Sequence, residues 1–384
     1  MEKSISTRQG SLMIFVAMIS SKLLSLNSLI SYDMKNNAWL VFFISFVFDF
    51  LFAMIFLFFI KKINMPFFDY LKKKFGAVFN KAVAIIVMVL FLFKTTAVMV
   101  DIYLFFVQLI YAEINRVVFL GCFLTIIFYF GSRKLQSLAR SIELLIWLIV
   151  FSLLLSLTLA YGALKFDNLL PLLDTNIFIT SKNVLVHNLW FGDFWILLFF
   201  VGNIKIEKNT TKKLLLAYII SSLICMVFVL VFTSTFGLTA SMHRVCVVAI
   251  TEVTPRLMNQ ARFNWLVYFT FPIALVYGLG IYSNCASSAL KYCIKDEVKS
   301  KNTISTLIIM GLTLAIGIVF RFTFTDFYLF VSSIYSYINI VIQYVMPIVL
   351  LVMITLKLDK NTSQKVVSKA IQKKSKLTKF EVSA

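Results

Sequence analysis

Six ionisable side chains lie inside long apolar stretches of this 384-residue sequence. They are Lys22, Asp49, Lys94, Asp101, Glu143 and Asp193. An ionised group at bilayer depth costs at least about 2.5–3.5 kcal/mol on insertion scales, so each is a candidate for solute binding, proton exchange or helix pairing. Glu143 lies near the start of its stretch and can reach the interface. For Asp49 and Asp101, a structural hydrogen-bonding role is an equally good interpretation. Lys94 and Asp101 lie on one helix face about 10 Å apart along its axis, so we expect each to meet another helix.

Lys22 is the least expected of these residues. It lies about eleven residues, or roughly 16 Å, into its apolar stretch, which makes snorkelling to the interface difficult. Ser20 and Ser21 precede it and form a polar cluster within an apolar helix. The cation can bind a ligand carboxylate, pair with Asp193 or fill the pocket, and the sequence leaves these three alternatives open.

A second polar interruption lies at Phe191-Gly192-Asp193, where glycine permits backbone conformations that other residues avoid. We expect it to face the cluster around Lys22, because paired breaks in corresponding helices indicate a midplane binding site in transporters built from inverted repeats. The sequence therefore predicts a ligand-binding site near the bilayer midplane. Its predicted residues are Ser20, Ser21, Lys22, Phe191, Gly192 and Asp193.

No residue pattern indicates a metal site, a cofactor or catalysis. The two histidines, His187 and His243, are far apart, and the five cysteines are scattered without metal-ligand spacing. The sequence contains no GxxxxGK, GxSxG or HExxH motif. We therefore expect a protein that is not an enzyme and that holds neither a metal nor a cofactor.

The elements that must position these residues are membrane helices. Hydrophobic residues make up 60% of the chain, charged residues only 14%, and the mean hydropathy is +0.92, values typical of an all-α polytopic membrane protein. Ten stretches approach the roughly 20 apolar residues that a span needs. They are 11–31, 38–60, 82–109, 117–131, 142–163, 186–202, 214–237, 265–290, 303–320 and 327–356. We interpret the first as a retained helix, because no small-x-small cleavage site follows it.

The basic residues predict the orientation. Of the 37 Lys and Arg, 27 fall in alternate loops and the two termini, which the positive-inside rule places in the cytoplasm. The surplus of +20 is thereby explained by orientation and by contact with anionic lipid headgroups. A nucleic acid partner is not expected, because that role needs the charge on one soluble face.

The span count divides into two halves of five. We predict one membrane domain over 1–356, with inverted repeats at about 9–163 and 186–356 and a basic cytoplasmic tail at 357–384. Spans one and six then correspond, so the two polar interruptions lie in equivalent broken helices.

Several short motifs, in this order along the chain, resemble one known family. They are Ser6-Thr7-Arg8-Gln9, Asn37-Ala38-Trp39-Leu40, Met65-Pro66-Phe67-Phe68-Asp69-Tyr70-Leu71 followed by Phe75-Gly76, Asn168-Leu169-Leu170-Pro171-Leu172-Leu173, Phe191-Gly192-Asp193 and Arg262-Phe263-Asn264-Trp265. The chain resembles the permease-like B subunit of GerA-type spore germinant receptors, within the amino acid–polyamine–organocation superfamily.

The resemblance implies a germinant-sensing subunit in the inner membrane of a dormant spore. It implies an amino acid or similar small solute bound between broken spans one and six and walled by spans three and eight. We therefore add Thr270 and Phe271 of span eight to the predicted site residues. It also implies two protein partners, a second integral membrane subunit and a lipoprotein.

The sequence departs from the family pattern in span one, where a Gly-x-Gly-like break and a proline are replaced by Ser20, Ser21, Lys22 and then Asn27. This departure argues against family-like binding of a simple neutral amino acid. Two other functions therefore stay open: a proton-coupled amino acid transporter that titrates at Asp193 or Lys22, and a scaffold subunit that binds no ligand.

Overall fold

The computed structural model describes residues 5–110, 116–258, 263–294, 302–320 and 324–357. Within these residues the regular structure is helical, apart from one isolated β-bridge between Ile5 and Ile204. Most of the predicted basic tail, 358–384, lies outside the described residues, as do Lys3, Arg262, Lys295, Lys299 and Lys301 of the predicted loops.

Fourteen α-helices position the site among these described residues. They are α1 (Thr7–Lys22), α2 (Leu26–Met34), α3 (Ala38–Lys62), α4 (Phe67–Phe75), α5 (Ala77–Ile110), α6 (Arg116–Ser132), α7 (Leu135–Ala160), α8 (Ile177–Val186), α9 (Leu197–Phe200), α10 (Thr210–Phe236), α11 (Cys246–Met258), α12 (Asn264–Ile294), α13 (Thr303–Val319) and α14 (Thr325–Lys357). Two π-helical segments, Val331–Tyr335 and Val341–Val345, lie within α14.

The chain is an integral membrane protein with several long apolar helices. Six helical stretches are long and apolar enough to cross a bilayer, or seven if the bent pair α8 and Asn188–Phe200 is one span. That pair bends by 55°, which agrees with the predicted break in span six. The helices α6 and α13 are shorter, with apolar stretches at Val118–Ser132 and Thr303–Val319. The count of ten spans and its inverted repeat stay predictions.

The first predicted span is broken between α1 and α2. α1 begins at a capping box, in which Ser6 accepts from the backbone of Gln9 and the Gln9 side chain accepts from Ser6, and it ends at Lys22. Ser20 and Ser21 both donate to the carbonyl of Ala17, a back-bonding pattern that weakens the last helical turn. The interruption therefore lies where the polar cluster predicts it.

One segment assigned to an outer loop by the sequence is a helix. α11 begins at Cys246, whose backbone N–H donates to the carbonyl of Leu24 at 2.9 Å, inside the break of the first span. Its first turns are buried against α7, α12 and α5. The ten predicted spans do not include this segment, because it is too short and too polar to resemble a span.

The core is built around α12, which packs on α5, α7, α1 and α6. Gly278 allows α1 to approach closely, because a Cβ atom there would lie 1.9 Å from the hydroxyl of Ser20. At the predicted cytoplasmic end, Glu143 binds Arg8 at 3.3 Å and Gln9 at 3.0 Å. Glu143 thus joins α7 to the start of α1, and its place at the membrane interface stays a prediction.

α4 is amphipathic and too short to cross a membrane. Phe67, Phe68 and Leu71 are buried, and the last turn carries Lys72–Lys74. The side chain of Lys357, at the end of α14, donates to the carbonyl of Lys74. This contact fixes the end of the last helix beside a basic interfacial segment.

Candidate functional site

The break in the second broken span is centred on Gly192. Two single-turn 3₁₀ segments, Asn188–Trp190 and Asp193–Ile196, flank it. Gly192 has φ of +76°, and a Cβ atom there would lie 2.6 Å from the side chain of Gln343 on α14. Glycine is therefore required twice, by the left-handed backbone and by the close approach of α14.

Asp193 joins the two broken spans through buried ion pairs. Its Oδ2 accepts from Lys22 at the end of α1, and its Oδ1 accepts from Lys94 of α5 at 2.8 Å. The hydroxyl of Tyr282, on α12, donates to the same Oδ1 at 2.8 Å and is also 2.9 Å from the carbonyl of Ala17. Of the three alternatives for Lys22, the structure has the ion pair with Asp193.

Asp49 is the second carboxylate at this level. Both of its oxygens lie 3.0 Å from the backbone N–H of Gly192, and Oδ2 also accepts from the hydroxyl of Tyr218 at 2.8 Å. We call Lys22, Lys94, Asp49 and Asp193 the central ionic cluster. Its formal charges cancel, and each side chain is at most 2% exposed. Buried charges are tolerable only with such pairing and hydrogen bonding.

Aromatic side chains seal the central ionic cluster. The ring of Phe191 lies 5.6 Å from that of Phe42 and 5.5 Å from that of Phe46. The ammonium of Lys22 is 5.5 Å from the Phe191 ring centroid, and that of Lys94 is 5.4 Å from the Tyr282 centroid. The low local polarity strengthens the ion pairs inside.

Asp101 occupies a different environment, two turns further along α5. Its Oδ1 accepts from the hydroxyl of Ser25, in the break between α1 and α2, at 2.6 Å. The indole of Trp190 is a second donor to this carboxyl, and the residue is only 2% exposed. Lys94 and Asp101 thus meet different partners, as their spacing predicts.

A polar contact between α14 and the second break was not predicted from the sequence. The Asn188 side chain donates to the Ser336 carbonyl at 3.0 Å and accepts from Asn339 at 2.6 Å. Gln343 donates to the Asn188 carbonyl at 2.9 Å. The available signal was two amides four residues apart, Asn339 and Gln343, which share one face of an apolar helix.

Two predicted site residues are not brought to the central ionic cluster. Thr270 donates to the carbonyl of Leu266 on its own helix, and the ring of Phe271 lies 6.1 Å from that of Phe105. Phe271 is eleven residues, or roughly 16 Å, along α12 from Tyr282. α12 therefore contributes Tyr282 instead, a residue that sequence reasoning missed because a tyrosine gives no signal of its partner.

Ser20, Ser21 and Lys22 do meet Phe191, Gly192 and Asp193. The hydroxyl of Ser21 lies 3.4 Å from the ammonium of Lys22, whereas Ser20 packs against Gly278. Among the described residues, no group of three or more His, Cys, Asp or Glu side chains could hold a metal ion.

Comparisons with known proteins identify a similar fold and a family. A crystal structure of MhsT in complex with L-phenylalanine has a similar fold, with a TM-score of 0.59 and 12% sequence identity over 86% of this chain and 87% of that chain. A search of curated protein sequences finds no match. The model of the spore permease family, described as spore germination protein, matches residues 4–316. This match over most of the chain shows that it belongs to the spore germination permease family.

Proposed function

We propose that this chain is the germinant-sensing, permease-like subunit of a spore germination receptor, and that it binds an amino acid or similar small solute near the bilayer midplane. The observation that carries the proposal is the convergence of both broken spans on the central ionic cluster. Broken helices facing each other at the midplane are where transporters with inverted repeats bind solutes. The family supports the role in germination, and the fold of an amino acid transporter supports the solute class.

Ligand binding would proceed by exchange of ion pairs. The carboxylate of an amino acid competes with Asp193 for Lys22 and Lys94, and its ammonium group pairs with the carboxylate that is released. The exchange leaves the formal charge of the site unchanged, so that no uncompensated charge is buried. The solute shifts the population of the bundle by its differential affinity for two states.

The proposal extends to the architecture of the whole chain. We propose ten spans in two inverted five-helix repeats, with both termini in the cytoplasm and the chain in the inner membrane of a dormant spore. A second integral membrane subunit and a lipoprotein would receive the signal. The basic last turn of α4 would bind anionic lipid headgroups.

The test is the germinant response of spores that carry variants of this chain. We expect Lys22→Met and Asp193→Asn to raise the half-maximal germinant concentration at least tenfold or to abolish the response. Lys182→Met and Asp167→Asn change the same chemical groups at exposed positions and serve as matched controls. Immunoblots of spore membranes establish that each variant is present at the normal level.

An unchanged response in both site variants, at normal abundance, would contradict ligand binding at this cluster. That outcome favours the scaffold subunit, a function suggested by the mutual pairing of the charges within the cluster. Concentrative uptake of labelled amino acid by proteoliposomes would instead support the transporter.

A further inference from the structure

We propose that Asp101 binds a proton in the closed bundle and releases it when the bundle opens, so that opening is coupled to the release of one proton. The site is the carboxyl oxygen Oδ2, and the released proton passes to water. This inference goes beyond the proposed function, because neither the group nor the measurement requires a ligand.

Among the described residues, only neutral donors reach the Asp101 carboxyl. The residue is 2% exposed, Oδ1 accepts from the Ser25 hydroxyl, and the Trp190 indole is the second donor. An ionised carboxylate accepts at about four lone-pair sites. Two neutral donors do not offset the cost of burying a full negative charge, so the carboxylate takes up a proton.

No cation in the described part of the chain pairs with Asp101. Titratable and charged groups in its half of α5 and on the elements packed there include Lys22, Lys94, Tyr103, His187, Cys246, Glu252, Tyr268, Tyr277, Tyr282 and Tyr335. Lys81, at the other end of α5, is twenty residues or roughly 30 Å away. Both lysines bind Asp193. His187 lies 2.9 Å from the carbonyl of Asn183 and 2.8 Å from the hydroxyl of Tyr328. Among the described ion pairs, none includes Asp101.

Asp101 contacts both broken spans. Ser25 belongs to the break between α1 and α2, and the carbonyl of the preceding Leu24 is bound by Cys246 at the start of α11. Trp190, whose indole is the second donor to Asp101, lies in the opposite break. Movement of either broken span therefore admits water to Asp101, and hydration favours the charged form of a carboxylate.

Asp193 and Asp49 do not meet these conditions. Asp193 receives two ammonium groups and a hydroxyl, and Asp49 receives a backbone N–H and a hydroxyl within a cluster of cancelling charge. The proton-binding carboxyl is thus outside the predicted ligand site.

Infrared spectroscopy of the full-length purified protein tests the protonation state. Near neutral pH, we expect a C=O stretching band of a protonated carboxylic acid that Asp101→Asn abolishes and that Asp101→Glu shifts in frequency. The exposed Asp167→Asn variant is the control and should leave the band unchanged. A band that neither Asp101 variant alters, or the absence of any such band in the wild type, would overturn the proposal.

The pH dependence of stability supplies a second readout. Asp101 is ionised in opened or unfolded chains and protonated in the closed bundle. The ratio of opened or unfolded molecules to closed molecules therefore rises by up to tenfold per pH unit. Thermal unfolding should therefore give similar melting temperatures for the wild type and Asp101→Asn at acidic pH, and a growing deficit of the wild type as the pH rises. Parallel curves for the two proteins would contradict the proposal.

Discussion

Asp193 and Asp101 are both buried acidic residues beside a broken span, yet their surroundings are opposite. Asp193 binds two lysines and a tyrosine, whereas the described donors to Asp101 are neutral, a serine hydroxyl and an indole. The first environment stabilises a negative charge, and the second disfavours it. The comparison teaches that burial alone does not assign a role to an intramembrane acid, because the donors around it decide whether it carries a charge or a proton.

The largest expected effect comes from removing the charge of Asp193. Asp193→Asn leaves Lys22 and Lys94 with one carboxylate fewer, and breaking a buried ion pair in this way typically destabilises by about 3–5 kcal/mol. The double variant Lys22→Met/Asp193→Asn restores the balance of charge, so it should lose less than the sum of its single variants. Thermal unfolding of the purified protein measures both. Strict additivity would show that the two residues are not coupled.

A smaller loss is expected from Gly192→Ala. The new methyl group would lie 2.6 Å from the Gln343 side chain, and the backbone at this position is left-handed. A strained backbone of this kind costs of order 1–3 kcal/mol. Gly121→Ala is the matched control, because a Cβ atom at that helical glycine meets nothing within 4 Å. The control should be neutral or slightly stabilising. Equal melting temperatures for the two variants would contradict the role assigned to Gly192.

Tyr218→Phe tests the partner of Asp49. The variant removes one hydrogen bond to a charged group, which is worth about 1.5–3 kcal/mol. Gly192 still donates to Asp49, so the effect should fall near the lower end of that range. Tyr161→Phe, at a position that is 79% exposed, controls for the loss of a hydroxyl. Chemical denaturation of both variants in detergent compares them, and a wild-type midpoint for Tyr218→Phe would indicate that Asp49 does not depend on the hydroxyl.

The smallest effect is expected at Asp101. Asp101→Asn retains an oxygen that can accept from Ser25 and removes a carboxyl that we propose to be already neutral. The change in unfolding free energy near neutral pH should therefore be zero or stabilising, in contrast to Asp193→Asn. Measuring the two variants side by side sharpens the comparison, since a loss at Asp101 as large as the loss at Asp193 would show that both carboxylates are ionised and paired.

Much of the candidate site could be predicted from the sequence, because charges at bilayer depth are rare and must be explained. Lys22 and Asp193 were expected to face each other from two broken spans, and they do. Thr270 and Phe271 were placed near them because they belong to span eight, which the family resemblance puts beside the site. A membrane helix is long, however, and only one of its turns lies at the depth of the breaks. The residue at that level is Tyr282, whose role depends on the rotation and height of α12.

Other features depend on contacts that local sequence does not encode. Packing of neighbouring helices buries the first turns of α11, whose own sequence is not a long apolar stretch. A search for long apolar stretches therefore does not find it. The roles of Gln343 and Asn339 become evident only when α14 is packed against Gly192 and Asn188.

The sequence by itself determined that this is a helical membrane protein, where its two polar breaks lie and which charges are buried, because the free energy of transfer into lipid depends on composition and segment length. Only the tertiary structure decided how these charges are paired. Whether a carboxyl meets two ammonium groups, as Asp193 does, or neutral donors, as Asp101 does, depends on the packing of helices that are distant in the chain. Electrostatic energy falls with distance, and distance is a property of the fold.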